Sequence, residues 1–105
     1  MTLVNTGWLE ENLNNIKILD ASWHMPASKR NAEEEFSNEH IHGAQFFDLD
    51  KSSNENNLLP HMLPPKNKWQ EIISNYGISN DDKLVIYDNS DVIISCRCWY
   101  MFIYF

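Results

Sequence analysis

The sequence is short of glycine, of basic residues and of cysteine, and each shortage bears on function. Its three glycines, Gly7, Gly43 and Gly77, stand too far apart for a G-x-G-x-x-G or Walker-type phosphate loop, so nucleotide binding has no motif to rest on. Eight Lys+Arg face fifteen Asp+Glu, a formal net charge of −7, and no basic stripe interrupts the acidic balance. Nucleic acid and anionic membrane are therefore poor partners. The two cysteines, Cys96 and Cys98, match neither the C-x-x-C metal pattern nor a spread disulfide framework, which points to a reducing compartment. No basic segment followed by an apolar stretch opens the chain, so no signal peptide is expected and the cytoplasm is the expected location. The longest nearly uncharged run, Val92 to Phe105, carries Arg97 and is shorter than the roughly 18 residues of a membrane span, so a buried helix is expected there.

What is present is a single-domain length of 105 residues, 43% hydrophobic and 22% charged, the balance of a globular chain. Thr6 is the expected N-cap of a first helix, with Glu10 and Glu11 near its positive end and Trp8, Leu9, Leu13 and Ile16 on its apolar side. Residues 16–20 then alternate as a strand that delivers Asp20 to a loop, and turn chemistry surrounds Pro26. Ala32 to Glu39 read as a short acidic helix anchored by Phe36, its glutamates forming a solvated face. A turn at His40–Gly43 leads to a second strand from Ala44, expected to run to the carboxylates Asp48 and Asp50. The polar, proline-bearing stretch 51–65 is an ordered excursion. Trp69, Ile72, Ile73 and Tyr76 fall at i, i+3, i+4, i+7, with Gly77 placed as the C′ residue of that helix. Residues 83–88 form a nearly continuous apolar run ending at Asp88, the kind that a parallel sheet buries on both faces, and a last helix begins near Ile94. The alternation predicts an α/β fold on a parallel sheet, with Asp20, Asp48, Asp50 and Asp88 gathered beyond the carboxyl ends of the strands.

Three clusters could carry chemistry. His40-x-His42 with His61 and the cysteines could be drawn as a zinc site, but H-x-H on a turn is weak spacing and loop-packing histidines are the simpler reading, so no metal or cofactor is expected. Cys96 and Cys98 could be nucleophiles beside Arg97, yet both lie in an apolar stretch where a small thiol packs comfortably. On a helix they point about 200° apart, against a mutual disulfide. Asp50 and His61 could pair as a carboxylate orienting an imidazole base, although spacing alone leaves them as two unrelated loop residues.

The strings Ile18-Leu19-Asp20-Ala21-Ser22-Trp23, His40-Ile41-x-Gly43-Ala44-x-Phe46-Phe47-Asp48-x-Asp50, Leu59-Pro60-His61-Met62-Leu63-Pro64 and Val85-Ile86-Tyr87-Asp88, extended by Ser95-x-Arg97-x-Trp99, occur in order over nearly the whole chain. Together they resemble the N-terminal rhodanese module of the tandem-domain thiosulfate/3-mercaptopyruvate sulfurtransferases. The resemblance implies a rhodanese-like parallel sheet flanked by helices. It also implies sulfane sulfur transfer to a thiol or cyanide through a cysteine persulfide that belongs to a second, C-terminal module. No cysteine here matches the catalytic one: Asp88 stands at the strand end where the catalytic module would carry it. By the same resemblance Asp50 and His61 fall on the aspartate and histidine of a Ser-His-Asp-like relay whose serine lies in the other module. His42 replaces a proline usual in the family, giving up a fixed φ. Residues 1–105 then correspond to a partial N-terminal domain, truncated within the helix after Asp88 and inactive alone. Trp99 to Phe105 would lack part of their covering layer, giving poor solubility or dependence on a partner, and a sulfur-donor substrate would bind only with the catalytic module present. The alternative is a non-catalytic rhodanese-like interaction module that docks a separate catalytic chain through its Asp88 loop and apolar C-terminus. A third reading, an independent sulfur carrier through Cys96, ranks last.

Overall fold

The computed structural model describes residues 3–54, 61–90 and 94–105. Leu59 and Pro60 of the sequence motif, and the first two residues of the Val92 run, lie outside the described residues. Three short strands, β1 (Lys17–Asp20), β2 (Ala44–Phe46) and β3 (Leu84–Tyr87), form a wholly parallel sheet in the order β2-β1-β3. Ile18 lies opposite Ala44 on one side and Val85 on the other, so the three strands end almost level and their following loops emerge together. Central β1 is buried from Ile18 to Asp20, as a strand with neighbours on both edges and cover on both faces must be.

Helices α1 (Thr6–Asn12), α2 (Ala32–Asn38), α3 (Lys66–Asn75) and α4 (Ser95–Tyr104) complete the fold. Asn5 caps α1: its extended backbone lets its side chain accept from Trp8 N at 2.8 Å. Thr6 is therefore the first helical residue rather than the cap, and Glu10 and Glu11 fall outside the first turn. Residues Leu13–Asn15 tighten into a 3₁₀ turn that ends the helix before β1. In α3, Trp69 faces the core, and Gly77 follows at φ +71, a left-handed conformation that suits glycine after a helix end.

Alternate residues of the strands feed two different layers. Leu19, Leu84 and Ile86 join Phe47, Leu49, Trp69, Cys98 and Met101 in the main core beneath α3 and α4. Phe46, on the opposite face, meets Phe36 of α2 at 5.7 Å between ring centroids. Strand β2 stops at Phe46, short of the expected carboxylates. Phe47 N still donates to Asp20 O at 2.8 Å, but Asp48 then takes Lys51 N at 3.1 Å and turns the chain away from the sheet.

The C-terminal helix is better covered than its sequence suggests. Met101 is fully buried, and Trp69 is flanked by Phe102, edge-on at 5.0 Å, and Phe105, stacked at 5.1 Å. Tyr100, Ile103 and Tyr104 make up its exposed apolar stripe. Among the described residues no helix is long and apolar enough to cross a membrane.

Candidate functional site

The loops leaving β1 and β3 are laced together beyond the carboxyl ends of the strands. Asp20, buried at the tip of β1, accepts from Ser22 N at 2.9 Å and closes a tight turn. Ser22 Oγ accepts from Asn89 N at 2.7 Å, and Ser90 Oγ accepts from Trp23 N at 2.9 Å. Asp88 organises the second loop from within: one carboxylate oxygen takes Ser90 N at 3.3 Å, and the other takes Ser95 N at 2.6 Å. The carboxylate thus occupies the positive end of α4, where a helix dipole favours an anion. Burial raises the Tyr87 phenol above its ordinary pKa; the Asp20 carboxylate adds to the rise, and the bond from Ile41 N opposes it.

The Asp50–His61 pair is formed. His61 Nε2 lies 2.7 Å from Asp50 Oδ1, the imidazole mostly covered and the carboxylate largely exposed. Close to the pair in sequence, Asn54 N donates to Met62 O at 2.7 Å. His61 has φ +59, a left-handed conformation unusual for a non-glycine residue, and the indole of Trp23 meets its ring edge-on at 4.8 Å. With Nε2–H donating to the carboxylate, Nδ1 is the ring nitrogen that carries the lone pair.

The other sequence-singled groups go elsewhere. His40 Nδ1 bonds Phe36 O at 2.6 Å and its ring stacks on Phe36, while His42 is exposed. Among the described residues no three His, Cys, Asp or Glu side chains converge as metal ligands. Asp48 serves the turn after β2.

Cys98 is buried in the core, and burial pushes its thiol well above the ordinary value. Cys96, expected to pack with it, is exposed, because two residues on a helix face nearly opposite ways and only one can point to the sheet. Iodoacetamide is expected to label Cys96 and spare Cys98 until the chain is denatured, read by peptide mass. Equal rates at both would contradict the packing.

Sequence reasoning missed two features. The glutamates of α2 are not all a solvated face: Glu35 receives a two-pronged bond from Arg30 at 2.8 and 3.0 Å and faces the buried His24 at 3.2 Å. Arg30 reaches on to Asn89 O at 3.0 Å, tying α2 to the β3 loop. This cluster borders a cavity of about 540 Å³ lined by Asp20, Glu35, Tyr87 and Asn89 among others. The Arg30 bonds lower the Glu35 pKa against an opposing desolvation, with His24 helping. A depressed folded pKa stabilises above the unfolded carboxylate value and is lost as pH falls through the folded one. Stability in urea should therefore fall less steeply on the acid side in Glu35→Gln, and an unchanged acid slope would count against the bridge. The second missed feature is the Arg97 guanidinium, whose Nε and one Nη are buried without a partner among the described residues. Burial lowers its pKa.

A family model described as a rhodanese-like domain matches residues 5–104. The chain belongs to the rhodanese-like domain family. Over 102 residues it is 43% identical to thiosulfate/3-mercaptopyruvate sulfurtransferase 1, mitochondrial, of Arabidopsis thaliana, covering 95% of this chain and 27% of that protein. The 3-mercaptopyruvate sulfurtransferase of Rattus norvegicus is 38% identical over 108 residues, covering 95% of this chain and 36% of that protein. Among solved structures, SseA from Escherichia coli, a 3-mercaptopyruvate sulfotransferase, superposes with a TM-score of 0.86 at 34% identity, over 94% of this chain and 39% of that one. This rhodanese-like chain thus spans between about a quarter and two-fifths of the length of these relatives.

Proposed function

We propose that this rhodanese-like chain is the N-terminal module of a thiosulfate/3-mercaptopyruvate sulfurtransferase, supplying Asp50 and His61 to a reaction whose persulfide-forming cysteine sits on a second module. The observation that supports it most is the 2.7 Å Asp50–His61 bond at the carboxyl-end face of the sheet. Beside it, the strand end after β3 carries Asp88, a carboxylate spent on capping α4. A carboxylate there cannot accept sulfur. On the second module a cysteine thiolate would attack the sulfur of 3-mercaptopyruvate; the carbon–sulfur electron pair then leaves with carbon as an enolate, which must be protonated. His61 as imidazolium, oriented by Asp50 and acting through a serine of the other module, is suited to that proton movement. A reducing compartment suits the two free thiols, whether the cytoplasm or, as for the Arabidopsis relative, the mitochondrion.

The second reading, a non-catalytic docking module, draws on the exposed Tyr100, Ile103 and Tyr104 stripe of α4. One mixing experiment separates them, with the chain added to a purified rhodanese module that bears the persulfide cysteine. A complex that releases pyruvate faster than the module alone supports the relay; a complex with no gain in rate supports docking; no complex and no gain sinks both.

A further inference from the structure

We propose that Trp23 is a positioning residue for His61, held in place by the loop after β3, so that the loop which carries Asp88 in place of a cysteine acts as a bracket behind the relay. The inference rests on the relay reading of His61. A lone hydrogen bond to a carboxylate whose side chain is 68% exposed does not fix an imidazole, because water competes for the carboxylate. Something else must hold the ring. The Trp23 indole lies against it with centroids 4.8 Å apart and planes at 88°, the edge-to-face geometry that aromatic quadrupoles favour. The imidazole side chain is only 22% exposed, although the backbone at His61 holds the left-handed φ of +59.

Trp23 is itself anchored from a distant part of the chain. Its backbone N–H donates to Ser90 Oγ, 67 residues away, and the neighbouring Ser22 Oγ accepts from Asn89 N. Ser90 is fixed in turn by its own N–H on Asp88, whose second oxygen caps α4. The line of contacts runs from the α4 start through Asp88, Ser90 and Trp23 to His61 and Asp50. In this arrangement Asp88 and Ser90 of the β3 loop serve the orientation of His61.

The test reads the imidazole directly, by long-range proton–nitrogen correlation on the isotope-labelled chain at a pH where the ring is neutral. The wild-type His61 ring should show two well-separated nitrogen resonances, a protonated Nε2 and a bare Nδ1. Asp50→Asn should reduce that separation, as a control for the assignment. Trp23→Ala and Ser90→Ala should each reduce it too, and Trp23→Phe, which keeps an aromatic edge, should restore most of it. Full separation in Ser90→Ala and in a folded Trp23→Ala would overturn the proposal; if Trp23→Ala does not fold, Ser90→Ala and Trp23→Phe decide it. Failure of the relay is read separately: a tautomer that depends on Trp23, with sulfur transfer indifferent to His61, keeps the positioning and removes its catalytic purpose.

Discussion

If His61 acts as the proposed relay, its replacement by glutamine, with the chain paired to a rhodanese module that bears the persulfide cysteine, is expected to lower pyruvate release from 3-mercaptopyruvate by about 10²–10⁴-fold, the contribution of a positioned general acid–base group, with KM nearly unchanged. Glutamine is the informative choice because its amide can still donate to Asp50, so the local hydrogen bond survives while the exchangeable proton is lost. The effect belongs in kcat, since a proton relay acts on the bond-breaking step and not on the binding of the donor. Asp50→Asn should cost less, about tenfold, because a carboxylate so exposed is screened by water and contributes orientation more than field. Unchanged kcat in His61→Gln would place the proton movement on other groups and reduce the 2.7 Å bond to a loop staple.

The largest expected effect on stability comes from Phe47→Ala, at about 3–5 kcal/mol. Phe47 is fully buried and sits between the sheet and α3, with Trp69 at 6.3 Å and Tyr76 at 5.9 Å between ring centroids. It is also the residue at which the backbone leaves the sheet, its N–H still bonded to Asp20 O. Removing the ring opens a cavity under the loop that leads to Asp50, so the loss is both of packing and of the platform for the pair. Domains of this size hold only about 5–15 kcal/mol in total, and the variant should be largely unfolded by urea concentrations that leave the wild type intact. A shift of less than about 1 kcal/mol in equilibrium unfolding would mean that the core relaxes around the gap.

What could be read in the sequence follows from the range of the interactions concerned. The apolar runs of β1 and β3 and the four-residue periodicity of α3 are local signals, and the parallel sheet followed from them. The end of β2 was misread because Phe47 and Leu49 keep a strand-like alternation after the backbone has already turned on the Asp48 side chain. At the start of α1 the cap is Asn5 and not the expected Thr6, because the extended backbone at Asn5 leaves Thr6 already helical. Asp50 and His61 are a candidate pair by residue chemistry alone and a relay only by family resemblance, since no periodicity links two loop residues; the backbone bond from Asn54 to Met62 lies beside them in the fold. The Trp23–Ser90 bond joins residues 67 apart that only the folded sheet brings together, while the His24–Glu35–Arg30 cluster is closer in sequence but hidden, because an acidic helix carrying Glu35 looks the same on paper as one with nothing to bind.

The central claim, that this chain supports sulfur transfer without carrying the sulfur, is tested most directly by the intact mass of the purified chain after exposure to 3-mercaptopyruvate alone. Expected is an unchanged mass, with Cys96 a bystander on the surface and Cys98 sealed in the core. A gain of one sulfur, about 32 Da, reversed by dithiothreitol and absent in Cys96→Ser, would contradict it and make this short chain a sulfur carrier in its own right.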